Sequence, residues 1–169
     1  KLPLLMGLNE RTFKADPRIK KVSINLGDEY GAVLIADSSG RLVEDLQPMT
    51  TLGLSCVAEE KGKRKQNGYN VAGRSGFDFY SEERLSRMVR EAVARTTILF
   101  EAVQPPAGEM PVVMAAGASG ILLHEAIGHG MEADFNRKDV SIYADKVNLP
   151  IAGKMVTIVD DGTRDHDRG

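Results

Sequence analysis

Alternating hydrophobic and polar residues predict β-strands in the first half of the chain. Val22, Ile24 and Leu26 follow the two-residue period of a half-buried strand, and residues 27–29 are expected to break it. Further strands are predicted over 32–36, 41–47 and 52–59, with a turn cluster at 37–40. Because the connections between these strands are short, we expect antiparallel pairing.

A helical pattern follows the strands. Ser81 is placed to cap a helix, and Glu82 and Glu83 lie in its first turn, where acidic side chains are favourable. One apolar face is expected to contain Leu85, Met88, Val89, Ala92, Val93 and Thr96. Elsewhere we expect a boundary at Asp16-Pro17 and a flexible or turn-rich passage over 68–76.

The last third of the chain starts with a Pro- and Gly-containing linker at 104–108. A buried strand is predicted over 111–115, a second helix from near Ser119, and a last strand over 154–159. The predicted fold class is therefore α+β: antiparallel strands with a packed helix, then a strand and helix that open a second domain. We predict a first domain portion over 1–104 and an incomplete second domain over 105–169, since both ends look like cuts in a longer protein.

Composition excludes several classes of protein. Of 169 residues, 42% are apolar and 27% are charged, which is typical of a globular chain. The net charge of -2 gives no bulk attraction to nucleic acid or to an anionic membrane. The basic run at 61–65 is short and is expected to be a solvated hairpin tip. The longest apolar stretch, 110–123, is too short to span a bilayer.

Cys56 is the single cysteine, so the chain cannot form an internal disulfide. It shares an alternating face with Leu52 and Leu54. We therefore expect Cys56 to be a small buried hydrophobic residue and not a ligand or nucleophile.

The segment His124-Glu125-Ala126-Ile127-Gly128-His129 carries the most chemical information. Two neutral imidazoles can bind a divalent metal, most often zinc, and a neighbouring Glu can accept a proton from a water molecule at that metal. Five residues separate the histidines, which places them about 140° apart on a regular α-helix. One extra residue in the turn, as in a π-bulge, would bring them to one face. The alternative is that one histidine is buried and the other faces solvent.

Residues 122–138, LLHEAIGHGMEADFNRK, resemble the metal-site segment of the TldD/PmbA family of cytoplasmic zinc metallopeptidases, also called modulators of DNA gyrase. The similarity extends to 107–113, 36–40 and 159–163. It is to the family's metal-bearing TldD-type subunit and covers a central portion of such a protein.

The resemblance implies that His124 and His129 bind zinc and that Glu125 is the catalytic acid/base. It also implies that the third ligand is a cysteine farther along the family's chain, a position that Cys56 does not match. His166 is either a spare ligand or, as we favour, an exposed loop residue.

Two further residues of the segment are candidates. Glu132 either orients His129 or approaches the metal, and a solvent-facing carboxylate is the alternative. Arg137 either holds a substrate carbonyl or is an ordinary cation at a helix end.

The function that the resemblance implies is zinc-dependent hydrolysis of unfolded or extended peptides in the cytoplasm, by a heterodimer with a PmbA/TldE-like partner subunit. No direct role with nucleic acid or membrane is expected. Residues 1–169 alone, without the rest of the protein, are expected to be inactive. The alternative is a non-catalytic peptide- or protein-binding module of the gyrase-modulator type, in which the histidines are structural.

Overall fold

The structure is a computed structural model, and it describes residues 1–117 and 119–164. It contains two compact units, of which the first includes Lys1–Gln104 and the second is Pro105–Asp160. The first unit combines helices with a three-stranded antiparallel sheet. This confirms the predicted α+β fold class.

The sheet has three long strands in the order β1-β2-β3: β1 is Ile19–Ala36, β2 is Leu42–Glu60 and β3 is Lys63–Gly73. The predicted interruption at residues 27–29 is wrong, because Gly27 pairs with Thr51 and Glu29 with Met49 within one continuous ladder. The predicted strands 41–47 and 52–59 are likewise one strand. A change of side-chain polarity alters which face is apolar but leaves the backbone free to continue its hydrogen bonds.

The flexible or turn-rich passage predicted over 68–76 is wrong over 68–73, because these residues belong to β3. Gly68 pairs with Ser55, and a Cβ atom at Gly68 would lie 2.5 Å from the carbonyl oxygen of Leu54. Glycine therefore serves here for close backbone approach and not for a turn. The hairpin tip is Lys61-Gly62, both with positive φ, at the start of the basic run where it was predicted.

Helix α1, Leu2–Ala15, was not predicted. Its inward face combines Leu4, Leu5 and Leu8 with the buried Thr12, whose hydroxyl donates to the Leu8 carbonyl at 2.7 Å. The helix ends before Asp16, which is extended because it precedes proline, so the boundary predicted there is confirmed.

Helix α2, Glu82–Thr97, begins as predicted, with the Ser81 hydroxyl accepting from the Arg84 N–H. All six residues of its predicted apolar face are buried. They cover one face of the sheet, where alternate β2 residues, Leu52, Leu54, Cys56 and Ala58, form the centre of the core together with Leu8 of α1. The apolar face of α2 and the apolar face of β2 thus pack together in one hydrophobic layer.

Met88 lies at the centre of this layer and is fully buried. Met88→Ala should lower the free energy of unfolding by about 2–5 kcal/mol, because it removes buried apolar contacts and leaves a cavity. Arg90→Ala, at an exposed position of the same helix, should change it by about 0.5 kcal/mol or less. Denaturant titration measures both, and equal effects would contradict the position of the core.

Cys56 is buried, as predicted, with Sγ 3.2 Å from Oγ1 of Thr96. Burial raises the pKa of its thiol, and this outweighs the opposite effect of its hydrogen bond with Thr96. Both the raised pKa and the lack of access make the thiol unreactive. We expect a bulky thiol reagent to leave the folded protein unmodified and to label Cys56 only after denaturation. Rapid labelling under native conditions would contradict this.

Beyond the end of β3, β1 and β2 continue as a two-stranded ribbon. Tyr30, Leu34, Leu42 and Leu46 lie on the same face of this ribbon as the buried Leu52, yet each is more than half exposed. The apolar pattern of the sheet therefore extends past the part that α1 and α2 cover.

The second unit contains short helical elements. These are α3 at Ser119–Leu123, a π-turn at His124–Gly128, a 3₁₀ turn at His129–Met131 and α4 at Ala133–Arg137. The helix predicted from near Ser119 is confirmed, but the strands predicted over 111–115 and 154–159 are absent. A strand needs a hydrogen-bonded neighbour, and no described segment pairs with either one. Among the described residues, no helix is both long and apolar enough to cross a bilayer.

Candidate metal site

The helical segment that contains the two histidines widens into a π-turn between them. The backbone N–H of His129 donates to the carbonyl of His124, five residues earlier, and both residues keep helical dihedral angles. This confirms the widened turn predicted from their spacing. The alternative of one buried and one solvent-facing histidine does not hold in the described residues, because both histidines are exposed.

The widened turn brings three side chains together. The ring centroids of His124 and His129 are 4.4 Å apart, at an angle of 70° between the ring planes. One ligating atom from each of His124, Glu125 and His129 lies within 4.8 Å of the others. Two neutral imidazoles and a carboxylate at this separation suit a divalent ion such as zinc. All three residues are exposed in the described part of the chain, so an ion can reach them.

Glu132 contacts the same cluster from the next turn of chain. Its Oε1 lies 2.5 Å from Nδ1 of His129, while Nε2 of His129 lies 3.6 Å from Oε2 of Glu125. The hydrogen bond from the His129 ring to the Glu132 carboxylate is the main cause that raises the pKa of His129, and the charges of Glu132 and Glu125 add to it. With Nδ1 engaged by Glu132, Nε2 is the nitrogen that faces Glu125. This contact is the one expected if Glu132 orients His129, one of the three possibilities that the sequence left open.

Three residues that the sequence did not single out support this turn. The side-chain amide of Asn136 donates to the carbonyls of Gly130, at 3.0 Å, and Glu132, at 2.8 Å. The Ser141 hydroxyl donates to the same Gly130 carbonyl. The Tyr143 ring lies against Gly130, where a Cβ atom would approach it to 2.8 Å. The only signal for Asn136 was its position inside the 122–138 segment.

Arg137 and Cys56 are not among the three clustered ligands. Arg137 is the exposed last residue of α4. Cys56 is buried in the core of the first unit, where it contacts α2. His166 lies outside the described residues.

Two family models match the chain. The PmbA/TldA metallopeptidase central domain matches residues 1–100, and the PmbA/TldA metallopeptidase C-terminal domain matches residues 107–169. The second match includes the whole of the candidate metal site.

Curated relatives match along nearly the whole chain. A metalloprotease TldD homolog of Haemophilus influenzae is 42% identical over 98% of this chain, and one of Buchnera aphidicola subsp. Schizaphis graminum is 33% identical over all of it. A metalloprotease of Methanocaldococcus jannaschii is 30% identical over 88% of it. The chain spans 36% of the length of the first two relatives and 32% of the third.

Proposed function

Because the chain belongs to the PmbA/TldD metallopeptidase family, we propose that it is the metal-bearing, TldD-type portion of a zinc-dependent peptidase. The observation that carries this proposal is the convergence of His124, Glu125 and His129 across the π-turn. A motif with an unfavourable spacing becomes a usable donor set only through that distortion.

In the proposed mechanism, His124 and His129 would hold a divalent ion, which would supply Lewis-acid polarisation of a water molecule and of the peptide carbonyl. Glu125 is the proton carrier. Its carboxylate is exposed and lies 3.6 Å from Nε2 of His129, so it can take a proton from a water molecule whose oxygen bonds to the peptide carbonyl carbon. The same carboxyl group then delivers that proton to the nitrogen of the leaving amine.

Catalytic zinc sites combine three protein ligands with one open position. In this proposal the third ligand is the downstream cysteine that the family resemblance implies. Cys56 is not a substitute, because its thiol is buried and its pKa is raised. Glu125 is close enough to serve as a ligand, but ligation would remove its free carboxylate from proton transfer.

The proposed substrates are unfolded or extended peptides, hydrolysed in the cytoplasm by a heterodimer with a PmbA/TldE-like subunit. Exposure of the whole cluster supports access for an extended polymer chain. The alternative of a binding module with structural histidines has less support. Structural histidines are expected to be buried and bonded, whereas both of these are exposed.

The test is peptide hydrolysis by the full-length protein together with its partner subunit. We expect a chelator to abolish cleavage of an unfolded peptide and stoichiometric zinc to restore it. A metal analysis of the same preparation is the control, since a scaffold needs no zinc. Cleavage that persists in metal-free protein would overturn the proposal.

A further inference from the structure

We propose that Asn136 is a positioning residue for the metal site. By holding the chain on both sides of Met131, it places the carboxylate of Glu132 on Nδ1 of His129 and so directs Nε2 toward Glu125. This inference rests on the proposed function, and it assigns a role to a residue outside the metal-binding motif itself.

The segment after His129 needs support from outside the helix. The 3₁₀ turn ends at Met131, and Glu132 leaves the helical region with φ -58° and ψ 134°. The i→i−4 hydrogen bonds of an α-helix therefore do not run through this segment, and Glu132 is joined to His129 along the backbone by a long 3₁₀-type bond, from its N–H to the His129 carbonyl at 3.4 Å. Glu132 is the residue before α4, yet its side chain does not cap that helix. It points back to His129 instead.

The side chain of Asn136 adds two hydrogen bonds to this segment. One side-chain amide nitrogen donates to two carbonyls, those of Gly130 and Glu132, and these residues lie on either side of Met131. The Ser141 hydroxyl donates to the Gly130 carbonyl as well and accepts from the Tyr143 N–H at 3.1 Å. The backbone on both sides of the turn is thus fixed by donors from a later part of the chain.

The consequence concerns the orientation of His129. A carboxylate on Nδ1 selects the tautomer in which that nitrogen carries the proton, and it leaves the lone pair of Nε2 for a metal. A shift of the Glu132 backbone would lengthen the 2.5 Å contact and free the imidazole to rotate. Asn136 therefore acts on the site through Glu132.

The test is the zinc affinity of the purified full-length protein, measured by competition with a chromogenic chelator. Glu132→Ala should weaken zinc binding by roughly 10- to 100-fold, the usual effect of losing a carboxylate behind a histidine ligand. Asn136→Ala should weaken it several-fold. In the double variant, the loss should not exceed that of Glu132→Ala alone, because the two residues act in series.

Conservative variants separate orientation from simple loss of structure. Glu132→Gln retains an oxygen that accepts from Nδ1–H, so its zinc affinity should recover to within a few-fold of the unmodified protein. Asn136→Asp has the size of asparagine without the amide donors and should lose as much affinity as Asn136→Ala. Asp134→Ala, at an exposed position of α4, should change nothing.

Additive losses in the double variant, or unchanged affinity in Asn136→Ala, would overturn the positioning role. If the unmodified protein binds zinc and cleaves peptide in that case, only this inference fails. If the unmodified protein binds no zinc, the proposed function fails with it.

Discussion

Zinc should be lost almost completely when His124 or His129 is replaced by alanine. Structural zinc sites with four ligands bind with about 10–16 kcal/mol, so one ligand contributes on the order of 3 kcal/mol. Loss of either imidazole should therefore reduce affinity by roughly 100-fold or more. The π-turn brings the two ring centroids within 4.4 Å of each other, so we expect both rings to bind the same ion. Metal analysis after dialysis against a weak chelator measures the effect.

The control for this experiment is Lys138→Ala, an exposed change just after α4 that leaves the three clustered ligands in place. Thermal unfolding of each metal-free variant distinguishes loss of the site from loss of the fold. Alanine at these exposed positions should not lower the stability of the metal-free protein by more than about 0.5 kcal/mol. Stoichiometric zinc in the double histidine variant would show that the ion binds elsewhere.

The sequence predicted α2 in detail because an amphipathic helix is a local pattern. Ser81 caps it, and each residue of the predicted apolar face is buried. The extent of the strands depends on partners far along the chain and was not readable locally. Gly27 was expected to end a strand, but Thr51 on β2 supplies a continuous neighbour. The opposite error occurred at 111–115. A strand was predicted there from an apolar run, but no described segment pairs with it.

Helix α1 shows a different limit of prediction from local sequence patterns. Leu4, Leu5, Leu8 and Thr12 have helical spacing, yet Pro3 and Gly7 weaken the pattern in a short segment. Proline at the first turn is compatible with a helix, since its missing N–H has no intrahelical partner there. Burial against α2 and β1 then outweighs the low helix propensity of Gly7.

The widened turn of the candidate site could be predicted, because metal binding by both histidines requires it. Two histidines five residues apart can share one ion only if the turn widens, and the structure has that π-turn. The contacts of Asn136 and Ser141 were not predictable in this way. The Ser141 hydroxyl reaches the Gly130 carbonyl across 11 residues, so the contact exists only after α4 and the following loop have folded.

Replacement of Glu125 by glutamine is expected to separate metal binding from catalysis. Glutamine has nearly the shape of glutamate but cannot accept and return a proton near neutral pH. The variant should therefore keep zinc on His124 and His129 while peptide cleavage falls by about 10²- to 10⁴-fold, the usual contribution of a general acid/base. Cleavage by the full-length protein with its partner subunit, normalised to bound zinc, is the measurement.

The matched control for Glu125→Gln is Glu132→Gln, which removes a second carboxylate from the surroundings of the same imidazole, 2.5 Å from its other nitrogen. If charge near His129 were all that mattered, the two variants would lose similar activity. If Glu125 carries the proton, Glu125→Gln alone should lose activity at full zinc occupancy, because Glu132 contacts Nδ1 on the side of the ring away from Nε2. Unchanged cleavage in Glu125→Gln would show that the proton passes through another group. A matching loss of zinc would instead assign Glu125 as a ligand.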